Sequence, residues 1–176
     1  MKNNFLDNNE TKISHDFEKE GYLVKETKYK ESLRKLREVV IYSIKKNIKI
    51  KSIKNDELLN NFHTFIKKDK LNEIRLSIIK DINKKKNFRK YYFQVAKNYL
   101  DILVGNELAM QTRVNLSIQT PNDRSSLLPI HSDVWSGDSP FEIVVWIPLV
   151  DCYKTKSMYL LKPNEFKKIN TVIFKK

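Results

Sequence analysis

From about Tyr29 to Asn47 the apolar residues fall at Leu33, Leu36, Val40 and Ile44, with Arg37 and Lys45 between them. That is helical spacing, one buried stripe with a polar outer face. Asn55-Asp56-Glu57 offers an N-cap ahead of a second apolar set, Leu58, Leu59, Phe62 and Phe65. Leu71, Ile74, Ile78 and Ile82 predict a third helix. A fourth runs from Phe88 to Val104, with Tyr92, Phe93, Ala96, Tyr99, Leu100 and Leu103 on its apolar side and Gly105 placed to end it. Ahead of these, residues 1–15 read as a loose polar start. Phe17–Glu20 reads as a short helix, Gly21 as a break, and Tyr22–Val24 as a strand.

The period then changes. Val114, Leu116 and Ile118 alternate with polar neighbours across Gln111–Gln119, the pattern of a half-buried strand. Pro121-Asn122-Asp123 marks a turn. Ile143–Val150 is an apolar run of strand length, with Pro148 placing it at an edge or a bulge. Ser157–Leu161 and Thr171–Phe174 predict further strands, with a turn at Pro163-Asn164 between them. Helices first and strands afterwards give an α+β order, mainly helical over 1–105 and mainly strands over 106–176. At 176 residues the chain is expected to form a single domain.

Charge changes this picture little. The net charge of +13 raises a nucleic-acid partner. Residues 1–100 hold 25 lysines and arginines against 13 acids, whereas 101–150 hold 2 against 6. The positive charge is thus spread along lysine-rich helices, without the aromatic interleaving of a single-strand binder. The expectation is a solvated lysine surface and no nucleic-acid partner. One cysteine, Cys152, excludes an internal disulfide and fits a reducing cytoplasm. No secretory h-region opens the chain and no stretch is apolar enough to span a bilayer, so no membrane partner is expected.

Candidate chemistry begins at His131-Ser132-Asp133. On an extended segment residues i and i+2 point the same way, so an imidazole nitrogen and a carboxylate can meet one metal ion. They are two thirds of the 2-His-1-carboxylate triad that holds non-haem Fe(II). Taken alone the pair is weak: a loop histidine beside a turn carboxylate is the commoner meaning of this spacing. Trp135, Gly137 and Pro140 shape a loop beside it where a substrate can lie. His63 falls in a helical pattern and His15 in the polar start, and Cys152 reads as a small core residue.

The longer string around the pair, GNELAMQTRVNLSIQTPNDRSSLLPIHSDVWSGDSPFEIVVWIPLVDCYKTKSMYLL from Gly105 to Leu161, resembles the 2-oxoglutarate/Fe(II) oxygenases of sporadically distributed carbohydrate clusters. These are related to phytanoyl-CoA dioxygenases. The resemblance covers about a third of the chain densely. It implies a partial double-stranded β-helix (jelly-roll) core behind the helices, and Fe(II) held by His131 and Asp133. It implies 2-oxoglutarate as co-substrate, O2 as oxidant, and a carbohydrate or other small molecule as substrate. Trp146 occupies the position of a tryptophan that contacts 2-oxoglutarate in relatives, and a core aromatic is the equal alternative. Asn115 and Gln119 are weaker pocket-lining candidates.

The departures are as specific. The family's distal histidine and the arginine that pairs with 2-oxoglutarate both lie beyond the first two ligands. After Asp133 this chain has no histidine and no arginine, the last arginine being Arg124. A lysine is a poorer partner than a guanidinium fork for that carboxylate. The resemblance therefore predicts a member truncated at its C-terminus. The rival readings are an inactive remnant serving, if at all, in binding or assembly, and half of a split enzyme whose sheet and site a second chain completes.

Overall fold

A computed structural model describes residues 5–50, 52–123 and 129–166. Five α-helices organise them: α1 Asn8–Glu20, α2 Lys30–Ile48, α3 Asn55–Asn60, α4 Leu71–Asn83 and α5 Phe88–Leu103. The apolar stripes explain α2, α4 and α5. Leu36, Val40, Ile41 and Ile44 form the buried face of α2, and Ile78 and Ile82 that of α4. They close one core with Leu58 of α3, with Phe62 and with Phe88 at the start of α5. The second apolar set divides: α3 stops at Asn60 and a single 3-10 turn, Phe62–Thr64, carries Phe62 inward. Lys54, rather than the Asn55-Asp56-Glu57 trio, stands at the N-cap of α3, and no side chain caps it.

Helix α1 begins earlier than the apolar pattern predicts. Asp7 caps it through the backbone N–H groups of Asn9 and Glu10, while the Glu10 carboxylate accepts from the Asp7 N–H. This reciprocal box fixes a helix start in a stretch that buries little besides Ile13. Gly21 ends α1 in the left-handed region at φ 77°, where its N–H donates to the Phe17 carbonyl. Tyr22–Val24 then has no regular structure, and Val24 is exposed.

The jelly-roll expectation is corrected here. Among the described residues there is no β-strand and no sheet, and the architecture is helical. The period-two patterns survive as burial without pairing. Val114 is buried and Leu116 and Ile118 are half-buried, while Asn115, Ser117 and Gln119 are exposed. Ile143, Val145, Ile147 and Leu149 likewise alternate with exposed Val144, Trp146 and Pro148. Ile118, Leu116, Ile147 and Leu149 pack on the helical core.

Side chains of the helices take the place of a ladder. The Asn83 amide at the end of α4 bonds both backbone groups of Val114 at 2.8 Å. The Tyr92 hydroxyl donates to the Val145 carbonyl, and Arg37 Nε donates to the Leu149 carbonyl at 3.3 Å. An alternating apolar segment needs one apolar face to lie on, and here that face is a helix bundle. Ser157–Leu161 makes no strand either, and Met158, Tyr159, Leu160 and Leu161 are exposed. Thr171–Phe174 lies outside the described residues. Asn122, at φ 57°, does sit in the turn expected after Thr120.

Candidate metal centre

Ser132 has extended backbone, φ −126° and ψ 137°, so the residues on either side of it project the same way. His131 Nε2 accordingly stands 3.6 Å from Asp133 Oδ1. Asp133 opens a 3-10 turn, Asp133–Ser136, in which the Trp135 N–H donates to the Ser132 carbonyl at 2.9 Å. Gly137 closes that turn at φ 97°, a left-handed conformation that suits glycine. Trp135 meets Phe166 with ring centroids 6.0 Å apart, which ties the turn to the segment that follows Leu161.

The other face of the imidazole is also set. His131 Nδ1 lies 2.7 Å from the Pro129 carbonyl oxygen. A carbonyl only accepts, so Nδ1 carries the proton there, and Nε2 is the nitrogen turned towards Asp133. Metal-binding histidines are oriented by a backbone acceptor in the same way. With metal–donor bonds of about 2.1 Å, two ligands of one ion sit roughly 3.0 Å apart at a right angle and 3.4 Å apart at the tetrahedral angle. The observed 3.6 Å is within a few tenths of closing on a divalent ion. Both side chains are about half exposed, 45% and 49%, so solvent reaches them.

His131 and Asp133 thus fit two positions of a metal site. Among the described residues no group of three histidine, cysteine, aspartate or glutamate side chains comes together. His15 belongs to α1, and His63 lines a small cleft of about 70 Å³ with Thr120 and Pro121. Cys152 is half-buried with its thiol against the Val150 carbonyl, and burial pushes that thiol up.

The expected co-substrate residues are placed less favourably. Trp146 is 46% exposed, on the face of its segment turned away from the core. Asn115 and Gln119 are exposed on the outer face of theirs. No hydrogen bond or ion pair joins these three, or any arginine, to His131 or Asp133 among the described residues. These residues do not fit a closed 2-oxoglutarate pocket. Arg124 lies outside the described residues.

Residue types alone did not point to the Pro129 carbonyl, because a backbone acceptor leaves no mark in side-chain spacing. The proline two residues before the histidine is the trace it leaves. Compared with protein-family models, curated proteins and solved structures, the chain matches none. No described helix is long and apolar enough to cross a membrane.

Proposed function

We propose that this chain is an oxygenase-type metal protein in which His131 and Asp133 are two ligands of Fe(II), with the third ligand supplied by a second chain. The observation that carries it is the orientation of His131. Its Nδ1 faces the Pro129 carbonyl at 2.7 Å while its Nε2 faces Asp133 at 3.6 Å, the arrangement of a ligand pair. The resemblance over Gly105–Leu161 supports iron as the metal, 2-oxoglutarate and O2 as co-substrates, and carbohydrate or small-molecule biosynthesis as the setting. Iron held there would supply O2-dependent oxidation of an unactivated C–H bond. This chain's own residues orient one imidazole and hold one carboxylate beside it.

A second reading is favoured by Trp146, Asn115 and Gln119, which are exposed and unconnected to the ligand pair. On that reading the chain binds metal without turnover and serves binding or assembly. Both readings share the ligand pair and are tested together. Under anaerobic conditions Fe(II) should bind the wild-type chain at least tenfold more tightly than His131→Ala or Asp133→Ala, the scale expected of losing one ligand. Equal binding by all three would remove the metal reading. Succinate formation from 2-oxoglutarate then separates the two: turnover above a metal-free control removes the non-catalytic reading, and none removes turnover by the chain alone.

A further inference from the structure

A subset of the lysines meets at one end of the bundle. Tyr42 and Lys46 fall at i and i+4 of α2 and share one stripe, and Lys49 is the residue that caps the C-terminal end of that helix. Lys46 Nζ reaches Asp81 of α4 at 2.9 Å, and the charge of Lys84 also acts on that carboxyl. Lys85 Nζ lies 5.0 Å from the centroid of the Tyr42 ring. These links bring the last turns of α2 and the Lys84-Lys85-Lys86 turn between α4 and α5 onto one surface. Asp81, the acid among them, is half-buried and engaged by Lys46 and Asn47. Lys49, Lys84 and Lys86 are exposed and have no ion pair among the described residues.

Lysines in a last helical turn offset the helix dipole, which accounts for Lys45 and Lys46. It does not account for a run of three beyond the end of α4, nor for a tyrosine 59% exposed in their midst. Cations around an exposed aromatic ring are what a single-stranded nucleic acid uses: phosphates follow the charges and a base stacks on the ring. An anionic membrane would also draw the lysines, but firm seating there calls for apolar side chains entering the lipid. The Tyr42 ring, with Lys85 over one face, supplies an exposed aromatic surface rather than an apolar anchor.

We propose that this face binds single-stranded nucleic acid, with phosphates along Lys49, Lys84 and Lys86 and a base on Tyr42. The site is independent of the His131 loop.

The test is fluorescence anisotropy of the full chain with a labelled oligothymidylate of about 20 nucleotides, read against salt. The variants are the triple Lys49→Glu, Lys84→Glu, Lys86→Glu, the single Tyr42→Ala, and a control triple of equal charge, Lys12→Glu, Lys67→Glu, Lys68→Glu. The patch triple should weaken binding more than tenfold and flatten the log–log salt slope by about 2, near 0.7 for each lost phosphate contact. Tyr42→Ala should weaken binding about fivefold or more with the slope unchanged. The control triple should bind nearly as the wild type does. Equal loss in both triples means diffuse charge and overturns the proposal. So does absence of oligonucleotide binding, with or without uptake by phosphatidylserine vesicles. Tyr42→Ala, at an exposed position, decides alone if the patch triple does not fold.

Discussion

The side-chain amide of Asn83 completes the backbone of Val114 in both directions. Its Nδ2 donates to the Val114 carbonyl and its Oδ1 accepts from the Val114 N–H, each at 2.8 Å. A neighbouring strand would satisfy those two groups in a sheet; here one residue at the end of α4 does. Val114 is 5% exposed, so water is a poor substitute. Asn83→Ala should therefore destabilise the fold by about 2–4 kcal/mol, two lost bonds plus two buried unpaired groups. Urea unfolding measures the loss, and amide exchange at Val114 should accelerate more than at core positions of α2.

The segment 143–150 hangs on a comparable bond, from the Tyr92 hydroxyl to the Val145 carbonyl. Burial pushes the Tyr92 phenol above its ordinary value. The folded chain holds that proton longer than the unfolded chain, which releases it near pH 10. The contribution is present below that pH and is lost as pH rises through the folded value. Tyr92→Phe should cost about 1 kcal/mol at neutral pH and flatten the alkaline fall in stability. An unfolding series from pH 7 to about pH 11 checks both.

At the acid end the relevant group is Asp81. The Lys46 ammonium holds its carboxyl below the usual range, opposed by burial and helped by the Asn47 amide. A lowered folded value gives stability that is present above the ordinary value, near 3.9, and is lost as pH falls through the folded one. Asp81→Asn should be less stable than the wild type at neutral pH, and the difference should shrink below about pH 4. Thermal unfolding across that range reads it.

Gly21 connects the end of α1 to the segment beyond Leu161. A Cβ built there meets Pro163 Cδ at 3.0 Å, on a backbone already at φ 77°. Beside it Lys162 pairs with Glu20. Gly21→Ala should cost about 1–3 kcal/mol, combining left-handed strain with the displaced proline. Calorimetry against Gly105→Ala, where strain acts without a neighbouring atom within 4 Å, separates the two contributions.

Helices α2 and α4 were legible from Leu36, Val40, Ile44, Ile78 and Ile82, and α5 from Tyr92, Phe93, Ala96, Tyr99, Leu100 and Leu103, because their spacing is the packing that forms them. Of α1 only the last turn, Phe17–Glu20, was legible, since the Asp7–Glu10 box and one buried Ile13 leave almost no apolar stripe further back. The alternation at Val114–Ile118 correctly gave the inward residues but not their partner, whereas the apolar run Ile143–Val150 did not show that Ile143, Val145, Ile147 and Leu149 turn inward. Period two specifies which side is buried; it is silent on whether a strand or a helix side chain such as Asn83 closes the backbone. At the candidate site the i, i+2 reasoning held for His131 and Asp133 because Ser132 is extended. It failed to reveal the Pro129 carbonyl, and it could not place Trp146, whose face depends on which neighbours its segment finds.

Long-range ¹H–¹⁵N correlation of the imidazoles reads the orientation of His131 itself. In the metal-free chain His131 should appear as the Nδ1–H tautomer, and addition of Zn(II) should shift its Nε2 resonance while Nδ1 keeps its proton. The Asp133→Ala chain should lose most of that shift. A Zn(II) response confined to His15 or His63, with His131 unchanged, would contradict the account.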